Sequence, residues 1–356
     1  MKKAALALIF LLLMISQGVA EADVYNADDI AVINRIIGDT GLDWEKWTGN
    51  NTLPTSWEIR TGKRSDVIVE GVKWSDDATN KRIVQLVLYD KNISGTLDVS
   101  DLTELEGLTC EKNNLSELNI SNCVSLEWLN CSGNSLSALD LSGCSKLNSL
   151  YCGNNLLSTL DISMCDDLKW LYCSYNHLKE LDVSQNINLT SLECYNNRLT
   201  ALDVSCCVNL EWLGCYGNSL NVLDVQENTQ MKVLYCEDND LNALDVSACV
   251  NLIRLTCGNN NLSELSVSTC SELDWLTFGN NNVSALDVTN NTNLSLLNCE
   301  NNNLNTLDVS MCVNLERLYC GDNNLNALDV SNCIKLVSLV HDGNPLSDLK
   351  LPDGYE

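Results

Sequence analysis

A period of 21 residues runs through the chain from residue 110 onward, and few architectures accept such a beat. Cys110, Cys131, Cys152, Cys173, Cys194, Cys215, Cys236 and Cys257 stand 21 apart. Phe278 takes the next slot, Cys299 and Cys320 resume the series, and His341 ends it. Three residues after each slot stands an asparagine, from Asn113, Asn134, Asn155, Asn176 and Asn197 through to Asn344, with none of the twelve missing. Around them the chain reads L-x-x-L-x-C-x-x-N-x-L-x-x-L-D-V-S-x-C-x-x.

This is a leucine-rich repeat, and its physics follows from the spacing. One coil cannot bury its own leucines, so coils must stack. The L-x-C segment alternates as a strand does, which points Leu129 and Cys131 inward and Asn130 outward. Stacking then builds a parallel sheet with about 4.8 Å between strands. The asparagine falls where the chain leaves the sheet, and its amide can pair turn groups that would otherwise be buried alone. Twenty-one residues leave no room for a helical crossover, so the return arm is expected to be extended or turn-rich with short 3₁₀ pieces. The expected fold is therefore a right-handed solenoid of the horseshoe class, mostly β. It has about 13 coils of roughly 21–22 residues, a parallel sheet on its concave face and a length of roughly 60 Å.

The flanks differ from the array. Residues 1–20 read as a signal peptide: Lys2 and Lys3, an apolar run from Ala4 to Ile15, and a small-residue cleavage site at Gly18-Val19-Ala20. Residues 21–83 do not repeat and are expected to cap the first coil. Asn26 and Asp29 resemble a capping box, Ile30, Ile33, Ile36 and Ile37 give a short helix an apolar face, and Gly38 is placed to stop it. Trp44, Trp47, Trp57 and Trp74 are expected to cluster behind that helix. Residues 84–351 form the repeats, beginning with an imperfect coil that has Lys91 in the asparagine slot, and 352–356 are a tail. Leu346, Leu349 and Leu351 close the last coil without an obvious cap, which leaves room for weak end-to-end pairing beside a monomer.

Nineteen cysteines in an exported chain would ordinarily signal disulfides. Here the strand column faces inward, where a thiol is a small apolar filler, so free stacked thiols are expected. A second column, Cys123, Cys144, Cys165, Cys207, Cys249, Cys270, Cys312 and Cys333, runs along the return arm, with Asn186, Asn228 and Asn291 substituting. Cys206 stands outside both columns and is expected to point outward. No metal or other cofactor is implied, because no CxxC pair occurs.

The aromatic residues carry the binding signal. All eleven Trp and Tyr residues between 105 and 351 fall on outward strand positions or on the two residues after the strand. Trp128, Trp170, Trp212 and Trp275 hold one slot, and Tyr151, Tyr172, Tyr235 and Tyr319 another. Tyr195 and Tyr216 follow the cysteine, and Tyr175 comes one later. Large rings on a rigid sheet bring contact area at low entropic cost. Trp128, Tyr151, Trp170, Tyr172, Tyr175, Tyr195, Trp212, Tyr216 and Tyr235 are therefore the expected ligand-binding set. They would form one stripe on the concave face, with Glu127, Glu193, Glu211, Glu237 and Glu300 beside it.

Acidic residues outnumber basic ones 48 to 21, a net charge of -27, which disfavours nucleic acid and anionic membranes. No later segment is long and apolar enough to span a bilayer. The aspartate column from Asp140 to Asp329 is expected to serve turns. His177 and His341 lie about eight coils apart, and no catalytic motif appears, so an enzyme is not expected.

The run LTCEKNNLSELNISNCVSLEWLNCSGNSLSALDLSGC resembles the cysteine-ladder subclass of internalin-like surface proteins, and is similar to leucine-rich-repeat proteins exported by gut Bacteroidetes. LDWEKWTGNNTLPTSW through KNISGTL looks like the amino-terminal cap of plant-type repeats without that cap's cysteines. The resemblance implies a secreted or cell-surface chain whose strand face contacts host proteins or glycans. Non-catalytic binding of a protein or carbohydrate partner, in adhesion or host contact, is the expected function. A self-assembling surface protein is the alternative, and a glycan-degrading enzyme a distant third.

Overall fold

The computed structural model describes residues 23–47, 53–61 and 68–355, so the signal-peptide reading of residues 1–20 lies outside the described residues. Ile83–Leu88 begins a run of parallel strands that ends at Ser338–Val340, most of them three residues long. The leucines stay in exact step: Leu171 pairs with Leu192, Leu192 with Leu213, and Leu213 with Leu234. These leucines and the ladder cysteines between Cys110 and Cys320 are fully buried. All 19 cysteines are free thiols.

The return arms carry no helix. Consecutive turns compact them, as where the Cys144 N–H donates to Leu141 O (2.9 Å) and the Leu147 N–H to Cys144 O (3.1 Å). Such i to i+3 bonds are the 3₁₀ pattern in single turns. Each aspartate of the column caps its turn: the Asp140 Oδ1 accepts from the Ser142 N–H at 2.9 Å, and Asp161, Asp182, Asp203 and Asp245 repeat the contact. Hydrogen bonds from Ser142 hold the Asp140 carboxyl below the usual carboxylate range, and those from Ser331 push Asp329 to about 2.

The asparagine ladder does more than close its own turn. Asn176 Nδ2 donates to Cys173 O (3.1 Å) in its own coil and to Cys152 O (3.1 Å) in the coil before. Its Oδ1 accepts the Leu157 N–H at 2.9 Å. Asn134, Asn155 and Asn197 make the same three contacts. Each amide therefore staples two coils. In the second column, Asn186 replaces a thiol by donating to Ile162 O (3.1 Å) and Cys165 O (2.9 Å). Cys206 does not point outward as expected. It is half-buried, and its thiol donates to Val183 O at 3.4 Å.

A helix, Ala27–Thr40, and an antiparallel pair, Ile68–Trp74 on Ile83–Leu88, cover the first coil. Asn26 caps the helix, its Oδ1 accepting from Asp28 and Asp29. Asp29 does not complete a capping box. It is buried, takes the Arg82 guanidinium at 2.9 Å and accepts the Ile83 N–H at 2.6 Å, which ties the helix to the first strand. Gly38 does not stop the helix either. Gly41 does, in the left-handed conformation at φ 73° that glycine adopts without strain. Trp44, Trp47 and Trp57 are buried behind it, with Tyr25 edge-on to Trp47 and Trp74. At the other end, Leu339, Leu346 and Leu349 are only partly buried, and Ile334 and Val337 are exposed.

Candidate binding face

The sheet register puts Gly107, Trp128, Ser149, Trp170, Ser191, Trp212 and Val233 in one row. Strands about 4.8 Å apart cannot carry an indole on every rung, so bulky and small residues alternate. A Cβ on Gly107 would overlap the Trp128 ring, and Ser149 and Ser191 are buried between indole-bearing coils. A neighbouring row runs Tyr151, Tyr172, Glu193, Gly214, Tyr235.

The rings meet in groups. Tyr151 and Tyr172 stack at 4.7 Å, nearly parallel, and the Ser191 hydroxyl donates to Tyr172 Oη at 3.2 Å. Tyr195 and Tyr216 stack at 4.3 Å, with Tyr175 edge-on to Tyr195 at 5.3 Å. Trp212 meets Tyr235 edge-on at 5.4 Å. Such contacts add to area burial and hold the rings in place. The structure thus differs from a single stripe of outward rings. Most lie against the sheet half-buried, whereas Trp170 and Tyr175 are 39% and 49% exposed. Trp128 stands apart over Gly107, and further along the row Arg254 covers Trp275 at 5.7 Å.

Tyr175 has a φ of 55°, in a slot that other coils fill with Asn154, Asn196, Asp238 or Gly217. A bulky residue there is strained by roughly 1–2 kcal/mol, and such strain tends to collect at functional positions. Tyr175→Gly is expected to raise stability by about 1 kcal/mol in urea titrations. A variant that loses stability would show that the ring packs for the fold.

Between the ring groups lies a cavity of about 530 Å³, lined by Trp170, Tyr172, Ser191, Glu193, Trp212 and Val233. Burial pushes the Glu193 carboxyl above its usual range. At the rim Lys232 pairs with Glu211 at 2.7 Å. Glu237 is likewise raised by burial and accepts from the Thr256 hydroxyl. Sequence reasoning placed Glu193 and Glu211 beside the rings but missed Ser191, Lys232, Val233 and Ile253. The small residues alternating with tryptophan were the signal available. A larger cleft of about 720 Å³ beside the cap helix is far from the rings, and its Arg35 and Arg82 already pair with Asp101 and Asp29. Among the described residues no cluster of three or more His, Cys, Asp or Glu could hold a metal, and no helix is long and apolar enough to cross a membrane.

No protein-family model and no curated protein matches the sequence. Solved structures do. The functional domain of InlJ from Listeria monocytogenes, which includes a cysteine ladder, is 30% identical, with a TM-score of 0.69 over 76% of this chain and 67% of that one. An internalin, InlF, also from Listeria monocytogenes, matches at 20% identity and a TM-score of 0.61 over 77% of this chain and 91% of its own. PEPR1, solved with AtPEP1, shares the fold at 21% identity and a TM-score of 0.72 over 91% of this chain and 51% of its own.

Proposed function

Because the chain belongs to the internalin-like, cysteine-ladder leucine-rich-repeat proteins, we propose that it is a non-catalytic module that binds a protein partner through the aromatic strand face. One observation carries this reading: nine rings from Trp128 to Tyr235 lie on one face, seven of them in direct ring contact. Rigid rings around a cavity are the usual anchors of a protein interface. The leader-like residues 1–20 and the family together favour action outside the cytoplasm, as a secreted or surface protein in adhesion or host contact. Flat rings beside carboxylates also suit a sugar, so a glycan is the second reading.

The test is the triple variant Trp170→Ala, Tyr172→Ala, Trp212→Ala, titrated against a partner found on arrays of surface proteins, mucins and glycans. Affinity is expected to fall at least about a hundredfold, because each anchor contributes on the order of 2 kcal/mol. Circular dichroism should stay native and melting should remain cooperative at a modestly lower temperature, since ring contacts are lost but no ladder residue is touched. Unchanged affinity would refute the reading.

A further inference from the structure

The geometry points to a slot between Trp170 and Trp212 that takes one basic side chain, lysine or arginine, of the protein partner, with Glu193 as its counter-ion. This rests on the protein-binding reading above. Three observations converge on it.

The first is an uncompensated carboxylate. Glu193 lines the cavity half-buried, and among the described residues no lysine or arginine pairs with it. Lys232, the one cation in the lining, is held by Glu211 at 2.7 Å. The Trp212 indole N–H is buried without a hydrogen bond of good geometry, although it is the neighbour that favours the ionised Glu193. A carboxylate so placed costs free energy until a ligand brings positive charge.

The second is the chemistry of the walls. Indole faces attract cations, and an arginine or lysine stem can lie along them while its head reaches a carboxylate. Val233 and Ile253 extend the apolar lining for such a stem.

The third comes from the same row of the sheet. At Trp275 the chain covers the indole with its own Arg254, at 5.7 Å from the ring. Among the described residues no cation lies over Trp170 or Trp212. The row thus contains one indole with an internal guanidinium and three without, and of those three Trp170 and Trp212 line the cavity. The net charge of -27 draws a basic partner toward the face.

The test uses intrinsic tryptophan fluorescence of the full chain titrated with Nα-acetyl-arginine amide, Nα-acetyl-lysine amide, the uncharged Nα-acetyl-norleucine amide and N-acetyllactosamine. The two basic amides are expected to give saturable changes that weaken with added salt, and norleucine amide to bind at least about tenfold more weakly. Glu193→Gln keeps the side-chain shape, and its melting curve confirms folding. It should reduce binding of the basic amides at least about tenfold. Equal binding of norleucine amide or the sugar, or undiminished binding by Glu193→Gln, would overturn the slot. Failure here is separable from failure of the wider reading. If the triple alanine variant loses a protein partner while Glu193→Gln keeps it, only the slot is wrong. If the triple variant keeps that partner, the protein-binding reading itself falls.

Discussion

Replacing Asn176 by leucine should destabilise the chain by about 2–4 kcal/mol, although the two side chains have nearly the same size. Asn176 is buried at 5% exposure, and its three shortest backbone contacts span two coils. Leucine would leave the Leu157 N–H without a partner in the interior. The two carbonyls fare better, since Cys152 O keeps Asn155 and Cys173 O keeps Asn197. One stranded donor costs roughly 1–3 kcal/mol and two weakened acceptors add to it. Coils in a solenoid are stabilised mainly by their neighbours, so the loss falls on one interface and should split the unfolding transition or lower its midpoint. Asn122, exposed on a return arm, is the control: Asn122→Leu should stay within about 0.5 kcal/mol. A loss below about 1 kcal/mol for Asn176→Leu in urea denaturation would mean the ladder amides are replaceable.

Strict periodicity exposes fold, strand register and the inward face, because a one-residue slip would turn every leucine and thiol to the wrong side. The turn role of the asparagines was readable from their place after the strand. Their reach to Cys152 O and its equivalents was not, because a contact between coils is set by how the coils stack. The cap was readable as a helix with tryptophans behind it. Its boundary was missed because Gly38 sits in a helix whose packing, through Ile33 and Ile36, outweighs the propensity cost of one glycine. Asp29 was misassigned because a half-buried guanidinium 53 residues away competes with the local backbone for its carboxylate.

The candidate site was legible as a list of rings and only partly as a place. Position in the repeat puts Trp170, Tyr172 and Trp212 on one face. It does not reveal that Tyr151 stacks on Tyr172 while Trp212 turns edge-on to Tyr235. Those choices depend on side-chain packing across neighbouring rungs. Cys206 was taken as outward from its neighbour's inward position, but it leans back to donate to Val183 O. The Val183 carbonyl already takes the Asn186 N–H at 2.9 Å, and a polarisable thiol settles on its second lone pair at little cost.

The central claim is that the 21-residue repeat buries the thiols and presents the rings, and thiol reactivity tests it most directly. Burial pushes Cys131, Cys173 and Cys215 up to about 12, with the largest effect being desolvation of the thiolate. Relative to an ordinary cysteine the thiolate population near neutral pH falls about a thousandfold, and packing shields the sulfur further. Alkylation of the native chain at pH 8, read site by site by mass spectrometry, should leave both cysteine columns unlabelled while half-buried Cys206 reacts first. In denaturant all 19 should react at similar rates. Acrylamide quenching of the same native sample should reach the tryptophans of the strand face. Ladder thiols that label natively as fast as in denaturant, with the indoles shielded from quencher, would contradict the account.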